Sequence, residues 1–247
     1  MYALTVENLS VAYDKKTVLE NISVAVPIGR LTAIIGPNGA GKSTFLKAVL
    51  NQLPNKVGKV EILGKPFVPK SLVVGYVPQR NAVDWDFPTN ALDIVLMGRY
   101  GHTGLFKRPS KQDKLLAMQA LESVGMQEFA DRSIGQLSGG QQQRVFLARA
   151  LAQNADVYFL DEPFAGVDAA TEKTIIDILK NLKAQGKSIF VVHHDLQTVK
   201  DYFDYVILLN KTILASGTTE EVFTPEQVQK TYGGKLLMME EMFGGSV

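Results

Sequence analysis

The chain has 247 residues, 46% hydrophobic and 21% charged, with a formal net charge of +1. These values suit one large α/β domain, or a core with a smaller lobe, and lack the basic excess expected of a nucleic-acid binder. No cysteine is present, which excludes a disulfide framework, a thiolate metal site and a cysteine nucleophile.

Met1 to Ser10 alternates polar and apolar residues and has no signal-peptide core. Leu4 to Val11 and Ile22 to Val26 are rich in β-branched residues and predict strands. Leu31 to Ile35 is a short apolar run with the pattern of a strand buried on both faces. From Lys42, the residues Phe45, Leu46, Val49, Leu50 and Leu53 recur at helical spacing, and Pro54 stops the run. Between this strand and helix lies Gly36-Pro37-Asn38-Gly39-Ala40-Gly41-Lys42-Ser43-Thr44, which contains Gly-x-x-x-x-Gly-Lys-Ser, the phosphate-binding loop pattern. Backbone N–H groups that curl around phosphate oxygens need φ values that a Cβ resists, hence the glycines. The helix N-terminus adds about half a positive charge. Lys42 supplies a cation for the β- and γ-phosphates, and Ser43 a hydroxyl ligand for Mg²⁺, which prefers oxygen. A plain glycine turn is the bland alternative, and the full pattern in a strand–loop–helix context outweighs it.

The middle, roughly 81–154, has helical periodicity at Ala91 to Met97, Lys111 to Val124 and Gly140 to Ala152. It is expected to form a mostly helical lobe, with a loop from Gly98 to Pro109. The bases Lys107, Arg108, Lys111 and Lys114 could face lipid headgroups, but a solvated helix start is the stronger reading. Leu137-Ser138-Gly139-Gly140-Gln141 puts a hydroxyl and two glycine N–H groups at a second helix N-terminus. One chain does not need two such ends for one γ-phosphate. Two chains related by a two-fold axis do, each capping the other's nucleotide.

Val157 to Leu160 is an apolar strand that runs into Asp161-Glu162. Beside a phosphate-binding loop, Asp161 suits the Mg²⁺ shell. Glu162 is placed to polarise an attacking water as general base. A helix over Ala169 to Lys183 and a strand over Ser188 to Val192 follow. Tyr205 to Leu209 and Thr212 to Ala215 form an expected hairpin across Asn210-Lys211. The tail from Gly233 carries Met238, Met239 and Met242, whose thioethers suit soft copper(I). With His102 as a lone loop histidine they make no convergent ligand set. A spanning helix needs about 20 apolar residues, and no such run is expected here.

Leu137-Ser138-Gly139-Gly140-Gln141, followed by Gln142-Gln143-Arg144, resembles the signature motif of ATP-binding-cassette proteins. The resemblance extends over about residues 1–232. It implies an α/β P-loop NTPase core of mostly parallel sheet with an N-terminal antiparallel β-subdomain. The core would hold residues 1–80 and 155–232, with an inserted helical subdomain at about 81–154 and a tail at 233–247. ATP and Mg²⁺ are the implied cofactors. Tyr13 matches the aromatic residue that stacks on adenine, and Gln79, in Tyr76-Val77-Pro78-Gln79, matches the Q-loop glutamine that contacts Mg²⁺ alongside Ser43 and Asp161. Asp168, in Ala165-Gly166-Val167-Asp168, matches the D-loop at the dimer seam. His194 matches the switch histidine that contacts the γ-phosphate and joins Glu162 as a catalytic residue. His193 does not match; at a strand end the two histidines are expected to face opposite ways.

A single cassette of this kind resembles the ATPase subunit of a transporter. Two copies would work with separate integral-membrane permease chains at the cytoplasmic face of the cell membrane, without nucleic acid. Met97-Gly98-Arg99-Tyr100-Gly101-His102, Leu105-Phe106-Lys107-Arg108-Pro109, Glu162 to Asp168 and His193-His194-Asp195-Leu196 resemble bacterial importers of manganese, zinc or iron. Those importers also work with an extracellular metal-binding lipoprotein. The competing expectation is a soluble single-cassette ATPase in cofactor assembly or another non-transport process. A P-loop kinase or GTPase has no reason for Leu137 to Gln141, and no guanine-reading Asn-Lys-x-Asp is present.

Overall fold

The computed structural model describes residues 1–14, 16–54, 56–69, 72–83, 85, 87–103 and 108–233. The chain divides into two compact units, Met1–Pro69 with Ser188–Val247, and Lys70–Lys187.

The first unit opens with β1 (Tyr2–Tyr13) and β2 (Lys16–Pro27), followed by β3 (Leu31–Ile35), α1 (Lys42–Val49), β4 (Lys56–Ile62) and β5 (Lys65–Pro66). An antiparallel sheet has the order β2-β1-β4-β5. β1 and β2 run longer than the sequence pattern suggests because their pairing shifts register between Val6 and Leu9 and again beyond it. Asn8 (φ 52°) and Asn21 (φ 47°) take the left-handed conformation at these irregularities, which asparagine tolerates better than most residues. Ser23 Oγ accepts from Asn8 N at 3.0 Å, and Ser10 Oγ from Asn21 N at 2.9 Å. α1 buries Phe45, Leu46 and Val49 completely. It stops at Val49 rather than Leu53, because Asn51 turns left-handed at φ 55°.

The second unit contains β6 (Val74–Val77), α2 (Ala91–Met97), α3 (Tyr100–Thr103), α4 (Lys111–Ser123), α5 (Gly139–Ala152), β7 (Val157–Asp161) and α6 (Ala169–Ala184). β6 and β7 pair in parallel, Val74 opposite Val157 and Val77 opposite Leu160. Gly75 leaves room for a ring: a Cβ there would lie 2.7 Å from Tyr158. α4 starts at a capping box in which Ser110 and Asp113 satisfy each other's backbone N–H groups. Asp113 also pairs with Arg99 at 3.1 Å, the two side chains only 10% and 12% exposed, and Arg99 donates to Ala152 O at 2.9 Å. That clamp explains why part of the expected 98–109 loop is helical, as α3. Leu105, Phe106 and Lys107 lie outside the described residues.

The chain then re-enters the first unit with β8 (Ser188–Val192), α7 (Val199–Tyr202), β9 (Tyr205–Asn210), β10 (Thr212–Thr218), α8 (Thr219–Val222) and α9 (Pro225–Tyr232). The strand order is β10-β9-β3-β8, with β3 parallel to both β8 and β9. β9 and β10 form the expected hairpin, turning at Lys211 (φ 62°). α9 has proline in its first turn, a Thr224 cap and a left-handed Gly233 at its end. The methionines of the tail lie outside the described residues. Antiparallel and parallel sheets with packed helices make the mixed α/β class expected from the sequence. Among the described residues no helix is long and apolar enough to cross a membrane.

Candidate functional site: a phosphate loop and a carboxylate strand end

In the first unit the parallel strands β3 and β8 end side by side, the usual place for ligands in such sheets. The phosphate loop follows β3 and the histidine pair follows β8. Gly39 (φ 81°) and Gly41 (φ 95°) take the left-handed conformation that glycine was expected to supply. Gly36 is glycine for another reason, which corrects the expectation from conformation alone. A Cβ there would lie 1.9 Å from Leu209 O on the neighbouring strand. The loop is tied at Ala40, whose N–H donates to Pro37 O at 3.1 Å and whose carbonyl accepts from Lys211 N at 2.9 Å. Lys42 is 7% exposed, and its ammonium donates to Gly36 O at 2.7 Å and Pro37 O at 3.0 Å. The charge is thus drawn inside the curl of the loop. Ser43 and Thr44 are half-buried in the first turn of α1, where no acidic residue competes with an incoming anion. Pro37 is half-buried, Asn38 and Gly39 are exposed at the tip, and Tyr13 ends β1 with 45% exposure.

The two histidines follow β8 rather than lying in it, and the expected opposition is not found: His194 is exposed and His193 is 2% exposed, yet their ring centroids stand only 6.1 Å apart. His193 Nε2 lies 2.8 Å from Thr198 Oγ1. Burial pushes its pKa down from 6.5 to about 4, against an opposing pull from Asp195 and with a smaller push from His194. An unfolded chain therefore takes up a proton between about pH 6.5 and 4 that the native chain refuses. Stability is intact above pH 6.5 and falls as pH drops towards 4, by about 2 kcal/mol between pH 7 and 5. Urea unfolding of His193→Leu at both pH values should lack this component. An equal pH slope in the variant would assign the effect elsewhere.

In the second unit, β6 and β7 also end together. Asp161 is the last residue of β7 and is 2% exposed. The Tyr76 hydroxyl is pushed up to about 12, first by burial and then by the charge of Asp161. Glu162 turns left-handed at φ 51°, an uncommon conformation for a non-glycine residue. Gln79 follows β6, and its Nε2 donates to Glu162 Oε2 at 2.8 Å. The amide oxygen is then the end of Gln79 suited to a cation. Gln79 and Asp161, in the second unit, offer an amide oxygen and a carboxylate, and Ser43, in the first, offers a hydroxyl; each is an oxygen donor of the kind Mg²⁺ prefers.

Ser138 caps α5, and its hydroxyl accepts from Gln141 N at 3.3 Å while Ser138 N donates to Gln141 Oε1 at 2.9 Å. Gly139 and Gly140 occupy the first two positions of the helix. Asp168 caps α6 by accepting from Thr171 N at 2.8 Å. That bond, with further ones around it, holds the Asp168 carboxyl below the usual range. Arg80, not singled out from the sequence, also stands here: its Nε donates to Gln142 Oε1, in the segment that carries the resemblance, at 3.2 Å. Nothing in the sequence marked Arg80, whose partner lies 62 positions along the chain.

The sequence profile of the family described as ABC transporter matches residues 19–165. The chain is 58% identical over 241 residues to the manganese transport system ATP-binding protein MntB of Bacillus subtilis, covering 98% of this chain and 96% of that one. It is 57% identical to the zinc transport system ATP-binding protein TroB of Treponema pallidum, covering 95% and 88%. Among solved structures, a chain of an ABC transporter in an inward-facing conformation superposes with TM-score 0.82 at 31% identity, covering 94% of this chain and 89% of that one.

Proposed function

The chain belongs to the ABC transporter family as an ATP-binding, ATP-hydrolysing subunit, and on that premise we propose that it powers uptake of a divalent metal ion through a separate permease. Manganese is the first candidate cargo, zinc the next and iron the third. The observation that carries this reading is the identity of 58% and 57% to manganese and zinc transport subunits over nearly the full chain.

In this account the phosphate loop holds the triphosphate, with Lys42 on the β- and γ-phosphates and Tyr13 against adenine. Ser43, Asp161 and the amide oxygen of Gln79 hold Mg²⁺, which would neutralise charge developing on the phosphates. Glu162 orients and deprotonates the attacking water, and Gln79, donating to it at 2.8 Å, fixes its carboxylate. His194, exposed beside the phosphate loop, reaches the γ-phosphate. The α5 end from Ser138 to Gln141 closes on the nucleotide of a second copy, with Asp168 at the seam. The ATPase core comprises residues 1–80 and 155–232, with the helical subdomain at about 81–154 meeting the permease. The complex would sit at the cytoplasmic face of the membrane and take its ion from an extracellular metal-binding lipoprotein.

Co-expression with its permease tests the assignment. The subunit should fractionate with membranes and leave them when the permease is deleted. Retention in the soluble fraction with the permease present would favour a soluble assembly ATPase. Ser138→Arg should cut hydrolysis by roughly 10²-fold or more, since the new side chain occupies the partner's γ-phosphate position. Its own affinity for ATP, measured by calorimetry, should stay unchanged; a Ser138→Arg protein with full turnover would contradict the shared site.

A further inference from the structure

We propose that Arg80 is a positioning residue that pins the Gln79 segment to α5, so that the Gln79–Glu162 contact and the helix end at Ser138 move as one body. The inference deepens the ATPase function proposed above and rests on it.

Arg80 directly follows Gln79 and opens a short 3₁₀ turn, Arg80–Ala82. Its Nε donates to Gln142 Oε1 at 3.2 Å. Gln142 is 4% exposed and uses its own amide nitrogen on Ile134 O at 3.1 Å, so the acceptor is held from behind. The guanidinium also fills the space in front of Gly139: a Cβ there would lie 2.8 Å from Arg80 Cζ. The backbone of Arg80 is anchored as well. Trp85 Nε1 donates to Arg80 O at 3.0 Å, and the indole stands edge-on to Phe146 of α5, with centroids 5.1 Å apart at 67°.

The segment is therefore held against α5 at two points, while the residue before it holds Glu162 through a 2.8 Å bond. Breaking the first link would strand the Gln142 amide oxygen in the interior, which favours discrete arrangements over gradual slippage. Lysine cannot replace the pin. Its ammonium lacks the planar fork that both donates to Gln142 and lies flat against Gly139. If Arg80 served packing alone, its loss would lower stability without separating kcat from nucleotide affinity.

The test compares the purified full-length wild type with Arg80→Ala, Arg80→Lys, Gln142→Met and Arg80→Ala/Gln142→Met. Both Arg80 variants should lose about ten-fold in kcat, with ATP affinity within two-fold of wild type. The double variant should fall no further than Arg80→Ala, because the two side chains act through one bond. Hydrogen exchange without nucleotide supplies a readout independent of turnover: Arg80→Ala should speed exchange at both the Gln79–Val83 segment and the start of α5, but not in α4. Full kcat in Arg80→Lys, additive losses in the double variant, or faster exchange confined to the Gln79–Val83 segment would each overturn the pin. A wild type without ATPase activity would instead defeat the parent function, while the exchange data would still decide whether Arg80 links the two elements.

Discussion

Glu162→Gln is expected to bind ATP with wild-type affinity and to hydrolyse it roughly 10²–10⁴-fold more slowly, the loss characteristic of a removed general base. The exchange is nearly isosteric, and the new amide oxygen can still accept from Gln79 Nε2, so the 2.8 Å contact survives. The left-handed backbone at φ 51° is common to both residues and adds no difference in strain. The capacity to take a proton is lost, together with the carboxylate's charge. Chemistry should therefore stall after binding, and ATP-bound dimers should accumulate, visible as a shift to a larger species on size exclusion with ATP. Single-turnover hydrolysis at the wild-type rate would remove Glu162 from the role of base.

Lys42→Ala should act one step earlier. The ammonium lies inside the loop on the carbonyls of Gly36 and Pro37, at 2.7 and 3.0 Å, with 7% exposure. A hydrogen bond to a charged group contributes about 1.5–3 kcal/mol, so its loss should weaken ATP binding by roughly 10–10²-fold. The two variants separate the roles: calorimetry should report lost affinity for Lys42→Ala and retained affinity for Glu162→Gln. Unchanged affinity in Lys42→Ala would contradict the phosphate contact.

The phosphate loop was legible because its chemistry is contiguous: nine consecutive residues carry the glycines, the lysine and the hydroxyls. The physical reason for Gly36 was not. Its constraint is a carbonyl at position 209, on a strand far along the chain. The apolar strands β3, β7 and β8, buried along their whole length, stood out as continuous runs. β4 escaped because most of it is exposed or half-exposed and it carries two lysines and a glutamate, and β6 because it is four residues long with a glycine inside. Register was equally hidden, since the bulges near Asn8 and Asn21 break the alternation on which period-two reading depends.

The site followed the same division. Glu162, His194 and Ser138 could be read from local motifs, whereas the expected opposition of His193 and His194 failed because both residues lie past the end of β8, with ring centroids 6.1 Å apart. The direct bond between Gln79 and Glu162, 83 residues apart, could not be read that way. Nor could the link from Arg80 to Gln142 across 62 residues. Such contacts depend on which strands and helices become neighbours, and a motif carries no information about that.

ATP-driven uptake of a divalent metal can be measured with radiolabelled manganese, zinc and iron in cells lacking this subunit. The cells would be complemented with the wild type or with Glu162→Gln. Wild type should restore uptake of one of these ions, manganese first, and Glu162→Gln should restore none. Equal uptake of all three ions with and without the subunit, or full restoration by Glu162→Gln, would contradict this role.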